Sequence, residues 1–175
     1  SIAISLSATV INVPADQTTI QAGIDAAVDG DTVLVSEGVY YEALIIDKNI
    51  QIGSHFIINS DSSHIGTTIL DGTGIGGSGI SPGSNCSALR ISGMTIRNFN
   101  TGIYVASSAW YVYTLYLDNS VIYNSSGSGI FIYRNTAYLN SVRLARNGMS
   151  GIKTERTNIH IYDSVIDSHV TGNSY

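Results

Sequence analysis

The sequence predicts an all-β chain wound as a right-handed parallel β-helix of about six rungs, with an α-helix closing its N-terminal end. Three observations predict it. The stretch "GDTVLVSEGVYYEALIIDKNIQIGS" (30–54) holds three short strand patterns end to end, with Val33/Val35, Leu44/Ile46 and Ile50/Ile52 as alternating apolar pairs. The C-terminal half repeats every 22 residues: Leu117, Leu139 and Ile161 are in step, and so are Ile122, Leu144 and Ile166. Only 12% of residues are charged while glycine numbers 18, a balance that suits many short strands and turns better than solvent-facing helices.

Taken in chain order, "SIAISLSATVINV" opens with the strand-like alternation Ile2/Ile4/Leu6. Residues 1–8 would also suit the remnant of a secretory signal ending at Ala8, although the basic start of such a signal is missing. "TTIQAGIDAAVDG" places Ile20, Ile24, Ala27 and Val28 on one helical face, begins with a Thr18-x-x-Gln21 capping box and stops at Gly30. Residues 18–29 are therefore expected to form the cap helix, because a solenoid must cover the apolar end of its first rung. "LRISGMTIRN" (89–98) aligns residue for residue with "LYLDNSVIYN" (115–124), but at an offset of 26. The excess falls in "ASSAWYVY", predicted as an inserted loop over 106–113. Beyond it the interval of 22 also relates Leu115 to Ala137 to Ile159, and Gly129-Ile130 to Gly151-Ile152. Strands this short bury a core only by stacking on copies of themselves, and parallel crossovers are right-handed. The whole chain, 1–175, reads as one domain. Its last strand, "IHIYDSVIDSHV", leads only to "TGNSY" and is expected to lie uncapped. That leaves three expectations for the C-terminal end: a fragment of a longer chain, a further domain covering it, or head-to-tail self-association.

Composition removes several function classes. A net charge of −5 with two lysines argues against nucleic acid as a partner. The chain lacks a run of about 18 apolar residues, so no membrane span is expected. The lone Cys86 has no disulfide partner and reads as a small residue in a Ser-rich turn. The histidines at 55, 64, 160 and 169 lack zinc-ligand spacing, and Asp163, Asp167 and His169 read as a solvated strand face, so neither metal nor cofactor is expected. Asp71-Gly72 reads as a turn. Asn98 and Asn124 fall at aligned turns, with Asn147 one residue from the matching position, an arrangement that suits stacked amides.

With the inward positions set by the repeat, the residues between them point outward. Arg90, Tyr116, Tyr138 and His160 then form one external column, and Tyr104, Phe131 and Lys153 a second. Aromatic faces can receive the apolar faces of sugar rings, and the inserted loop adds Trp110, Tyr111 and Tyr113. The predicted carbohydrate-binding residues are Trp110, Tyr111, Tyr113, Tyr116, Tyr138 and His160.

Over nearly its whole length the chain resembles the pectin-lyase-like superfamily of right-handed β-helices. The segments that carry the resemblance are "VPADQTTIQAGIDAAVDGDTVLVSEGVYYEALIIDKNIQIGS", "TTILDG" and "LRISGMTIRNFNTGI". Gly38-Val39-Tyr40-Tyr41-Glu42 is similar to the first motif of pectin methylesterases, Gly-x-Tyr-x-Glu. The catalytic motifs of those enzymes, and the Gly-His-Gly and Asn-Thr-Asp motifs of polygalacturonases, are absent. The resemblance therefore implies a secreted or cell-surface β-helix module without catalysis, binding polysaccharide or building an extracellular assembly. The alternative it implies is an enzyme, a lyase or pectinesterase-like, on uronic-acid polymers.

Overall fold

The computed structural model describes residues 7–106 and 112–167. The chain runs through β1 (Val10–Val13), α1 (Ile20–Ala26), β2 (Thr32–Val35), β3 (Gly38–Tyr40), β4 (Leu44–Ile46), β5 (Gln51–Ser54), α2 (Phe56–Asn59) and α3 (Ser63–Thr67). It continues through β6 (Thr68–Asp71), β7 (Ser78–Pro82), β8 (Ala88–Ser92), β9 (Thr95–Arg97), β10 (Thr101–Ala106), β11 (Thr114–Asp118) and β12 (Val121–Tyr123). The last rungs are β13 (Ser128–Tyr133), β14 (Thr136–Asn140), β15 (Arg143–Ala145), β16 (Ser150–Glu155), β17 (Asn158–Tyr162) and β18 (Val165–Asp167).

Each rung visits three all-parallel sheets in turn. Sheet 1 orders β1-β2-β5-β8-β11-β14-β17, sheet 2 orders β3-β6-β9-β12-β15-β18, and sheet 3 orders β4-β7-β10-β13-β16. The molecule is a parallel β-helix. Pairing follows the sequence repeat: Leu117 faces Leu139 and Leu139 faces Ile161, while across the longer interval Leu89 faces Leu115 and Ile91 faces Leu117. Leu115, Leu117, Ile122, Leu139 and Leu144 are buried in continuous internal files; Ile161, in the last described rung, stacks in register but is exposed. β10 runs through Ala106 and β11 begins at Thr114, so Ala106 belongs to the strand and not to the inserted loop.

From β8 onward, the corners outside the insertion are made by single left-handed residues. Gly93, Asn119, Ser141 and Asp163 turn the chain from sheet 1 to sheet 2, with φ of 73, 47, 54 and 45°. Asn98, Asn124 and Arg146 turn it from sheet 2 to sheet 3, and Arg134 and Arg156 from sheet 3 to sheet 1. Gly93 has no alternative, since a Cβ there would lie 2.6 Å from Phe56 Cβ and 2.7 Å from Ser54 Oγ. The stacked amides expected at the second corner are present, Asn124 Nδ2 donating to Asn98 Oδ1 at 3.2 Å. The next corner residue is Arg146, and Asn147 turns inward. Fully buried, Asn147 accepts from Ser125 N at 3.0 Å and donates to Ile122 O, holding the corner of the rung below.

Asn135 performs the same task at the third corner. Its Oδ1 accepts from Tyr113 N at 2.8 Å, and its Nδ2 donates to Tyr133 O and Val105 O at 2.7 and 3.1 Å. One rung on, Thr157 Oγ1 donates to Glu155 O and Ile132 O. These side chains satisfy corner carbonyls and an amide that the ladders cannot reach, and an unsatisfied buried group costs about 1 to 3 kcal/mol.

The N-terminal helix is shorter than its apolar pattern, covering 20–26 and not 18–29. Ile20, Ile24 and Ala27 are buried as expected, but Val28 lies past the helix and is 44% exposed. The N-cap is Thr19, not Thr18, its Oγ1 accepting from Ala22 N at 3.1 Å. Gln21 does not close a capping box because its amide pairs with the backbone of β4, Nε2 with Ile45 O and Oε1 with Ile45 N. The Glu42 carboxylate takes the first-turn amides instead, Oε1 from Ile20 N and Oε2 from Gln21 N, both at 2.9 Å. A carboxylate there complements the partial positive charge of a helix start.

Two outcomes follow. Replacing Asn135 by Leu strands three backbone partners and lowers unfolding stability by about 2 to 4 kcal/mol in urea titrations, whereas Asn135→Thr, imitating Thr157, loses less than half of that. Glu42→Ala lowers stability by about 1 to 2 kcal/mol by releasing the start of α1, measured the same way.

Candidate functional site

The side walls of the coil carry the functional candidates, because every second strand residue points out. On sheet 1 the column forms as the repeat requires. The Arg90 guanidinium lies 4.2 Å over the Tyr116 ring, Tyr116 and Tyr138 stack at 5.2 Å and 9°, and Tyr138 and His160 at 4.7 Å and 8°. Rings packed this way cover one another. Both faces of Tyr116 and of Tyr138 are occupied by protein, so among the described residues the column presents ring edges and leaves only the outer face of His160 for a flat ligand.

Sheet 3 differs by one residue. Ile45 faces Ser81, and Ile103 faces Ile80, which brings Tyr104 over Ser81; Tyr104 then faces Phe131, and Phe131 faces Lys153. Tyr104 stacks on Phe131 at 5.1 Å and 10°, and Lys153 Nζ stands 5.5 Å over the other face of Phe131. The remaining face of Tyr104 looks onto the small Ser81, and the ring is 40% exposed. Ile45, 59% exposed, stands one rung beyond. Two rung spacings, about 10 Å, separate Tyr104 from Ile45, and the short side chain of Ser81 leaves a gap in the outward file between them.

The structure separates the predicted residues. Tyr116, Tyr138 and His160 lie together on sheet 1, while Trp110 and Tyr111 lie outside the described residues. Tyr113 is not on the surface: it is 7% exposed and belongs to the core, where the chain re-enters the coil ahead of β11. Tyr104 is the better placed aromatic. Its signal in the sequence was the small residue at the aligned position one rung back, hidden because β7 falls outside the regular repeat.

The acids expected to be structural are so. Asp71, at the end of β6, accepts from Arg97 Nε at 2.7 Å, Asn98 Nδ2 at 3.0 Å, and Thr73 N and Oγ1 at 2.9 and 2.7 Å. Burial pushes its carboxyl up, but the hydrogen bonds from Thr73, Asn98 and Arg97 outweigh that and hold it well below the usual carboxylate range. Burial raises Asp118 on sheet 1, while a hydrogen bond from Asn140 and the charge of Arg90 pull the other way. Cys86 sits in the turn-containing connection between β7 and β8, as expected, but its side chain is buried in the core, and burial pushes its thiol up to about 11. His64 is held by Glu37 through Nδ1 at 3.0 Å and by Asn59 through Nε2 at 3.1 Å. Among the described residues no group of three or more His, Cys, Asp or Glu side chains converges to hold a metal. No helix among them is long and apolar enough to cross a membrane.

Comparison with protein-family models, with curated proteins and with solved structures finds no match to this chain.

The Asp71 geometry sets a pH dependence. A carboxyl depressed by folding contributes stability that is complete above its unfolded value, near pH 4, and is lost as pH falls below that toward its folded value. Asp71→Asn is therefore less stable at pH 7, and its melting temperature falls less steeply than that of the wild type between about pH 4 and pH 2 in calorimetry.

Proposed function

We propose that this chain is a secreted or cell-surface β-helix module of the pectin-lyase-like kind that binds carbohydrate without turning it over and presents it within an extracellular assembly. The observation that carries this reading is the Tyr104 slot: a half-exposed ring stacked on Phe131, with the small Ser81 next in its outward file and the exposed Ile45 beyond. Sugar rings offer an apolar face that stacks on such a ring, with hydroxyls left to water and to nearby polar groups. In sequence, the segment predicted as an inserted loop follows directly on β10, the strand that carries Tyr104. Support for a non-catalytic role comes from the acids. Glu42, the residue that resembles a pectin methylesterase motif, is engaged with the first turn of α1, and Asp71 is saturated by donors.

Affinity electrophoresis and calorimetry on a panel of plant and microbial polysaccharides test it. Tyr104→Ala weakens binding about tenfold or more, as removal of a central aromatic anchor does. Ser81→Leu, which fills the slot, does the same with the ring intact. Tyr138→Ala, on the self-covered column, leaves affinity unchanged. Release of reducing ends, methanol or unsaturated products by the wild type would replace this reading with the enzymatic one.

A further inference from the structure

The outward face of sheet 2 carries a second opening, distinct from the Tyr104 slot. One file on this face runs Asp71, Arg97, Tyr123, Ala145, Asp167 across β6, β9, β12, β15 and β18. The first three are joined, since Arg97 donates from Nε to Asp71 and from Nη1 to Tyr123 Oη at 2.9 Å. At Ala145 the file is interrupted by a small side chain. The result is a cleft of about 250 Å³ lined by Val121, Tyr123, Arg143, Ala145 and Arg146.

The lining sets the chemistry of an occupant. Val121 and Ala145 make an apolar floor and Tyr123 an aromatic flank, which suit the face of a six-membered ring. Two guanidiniums stand at the rim. Arg143 donates from Nη2 to Asp167 at 3.2 Å, in a pair whose side chains are 61% and 35% exposed and therefore weakly held. Arg146, projecting from the left-handed corner after β15, makes no hydrogen bond or ion pair among the described residues. With Arg97 neutralised by Asp71 and Arg143 shared with Asp167, Arg146 leaves the cleft, among the described residues, with one uncompensated positive charge on a chain of net charge −5. The backbones of β12 and β15 are paired on both sides, so an extended peptide would find no main-chain partners here.

We propose that this cleft binds a saccharide ring bearing an oxyanion, a sulfate ester or a carboxylate, with the ring over Ala145 against Tyr123 and the anion between Arg143 and Arg146. Planar guanidiniums pair with either oxyanion through two parallel hydrogen bonds. The site stands on a different face from the Tyr104 slot and does not depend on it.

Calorimetry with a sulfated glucan oligosaccharide, its unsulfated parent and a polyuronate oligosaccharide of equal length tests the proposal. The wild type binds at least one of the two acidic ligands about tenfold more tightly than the neutral parent. The double variant Arg143→Gln/Arg146→Asn loses that preference, Asn being chosen to keep the left-handed corner. Ala145→Leu, which fills the cleft without changing charge, loses it as well. Arg156→Asn removes a charge from another left-handed corner, between sheets 3 and 1, and keeps it, and Tyr104→Ala keeps it too. Equal affinity for acidic and neutral ligands in the wild type overturns the proposal, as does a loss in Arg156→Asn matching that of the double variant. So does full binding by Ala145→Leu in a protein whose melting temperature is unchanged.

Discussion

The spacing between parallel strands, about 4.8 Å, governs the rest of this molecule because each turn of chain comes back over the last in register. Whatever side chain a rung presents, the next rung presents its counterpart directly above. Inside, this stacks Leu115, Leu117, Ile122 and their counterparts into buried aliphatic files. Outside, the same spacing is slightly more than the thickness of an aromatic ring. Tyrosines in one file therefore lie flat on each other, as Tyr116 and Tyr138 do. A column of like rings closes its own faces, and a small residue in the file opens one.

The corners make that register hold. A strand of three to six residues cannot absorb a wandering turn, so each corner is confined to one left-handed residue or to a side chain that reaches into the neighbouring rung. Asn119, Ser141 and Asp163 share a corner although serine, unlike asparagine and aspartate, seldom occupies that backbone region. Ser141 is tolerated there because its short polar side chain remains in water. Asn135 and Asn147 act differently: they spend a whole side chain inside the coil to tie one rung's corner to another's. The cost of burying an amide is offset by its satisfying two or three backbone groups at once.

This division explains what the sequence disclosed. Between residues 115 and 167 the interval of 22 is uninterrupted, and the pairing of β11 with β14 and β17 could be read directly from it. The offset of 26 before it also matched, since the excess lies wholly between β10 and β11. Residues 55–67 did not disclose α2 and α3: turns of four and five residues have too few positions to show a helical period. Thr18 and Gln21 matched a capping box in spacing, but the partner that fits is Glu42 from another strand, a pairing invisible to local pattern. Of the site, the columns were legible because outwardness follows from alternation. Which ring has an open face was not, because that depends on the residue one rung away, Arg90 under Tyr116 but Ser81 under Tyr104. The burial of Tyr113 was equally hidden, since the insertion breaks the alternation just before it.

Side-wall sites on such a coil are nearly independent of the core. The internal files carry the stability and the corners fix the register, so an outward position can shrink without leaving a buried cavity. Ser81 and Ala145 are two such positions, on different sheets, each beside an aromatic ring. What distinguishes them is the surrounding charge. Around Ser81 the neighbours are Ile45 and Tyr104, apolar and neutral, while around Ala145 they are Arg143, Arg146 and Asp167. Two acids in positions open to chemistry are instead committed to the scaffold: Glu42 to the start of α1, Asp71 to Arg97 and its turn. On the proposed reading, recognition falls where a rung withholds a side chain, and the ligand preference of each gap follows from the charges on the rungs that border it.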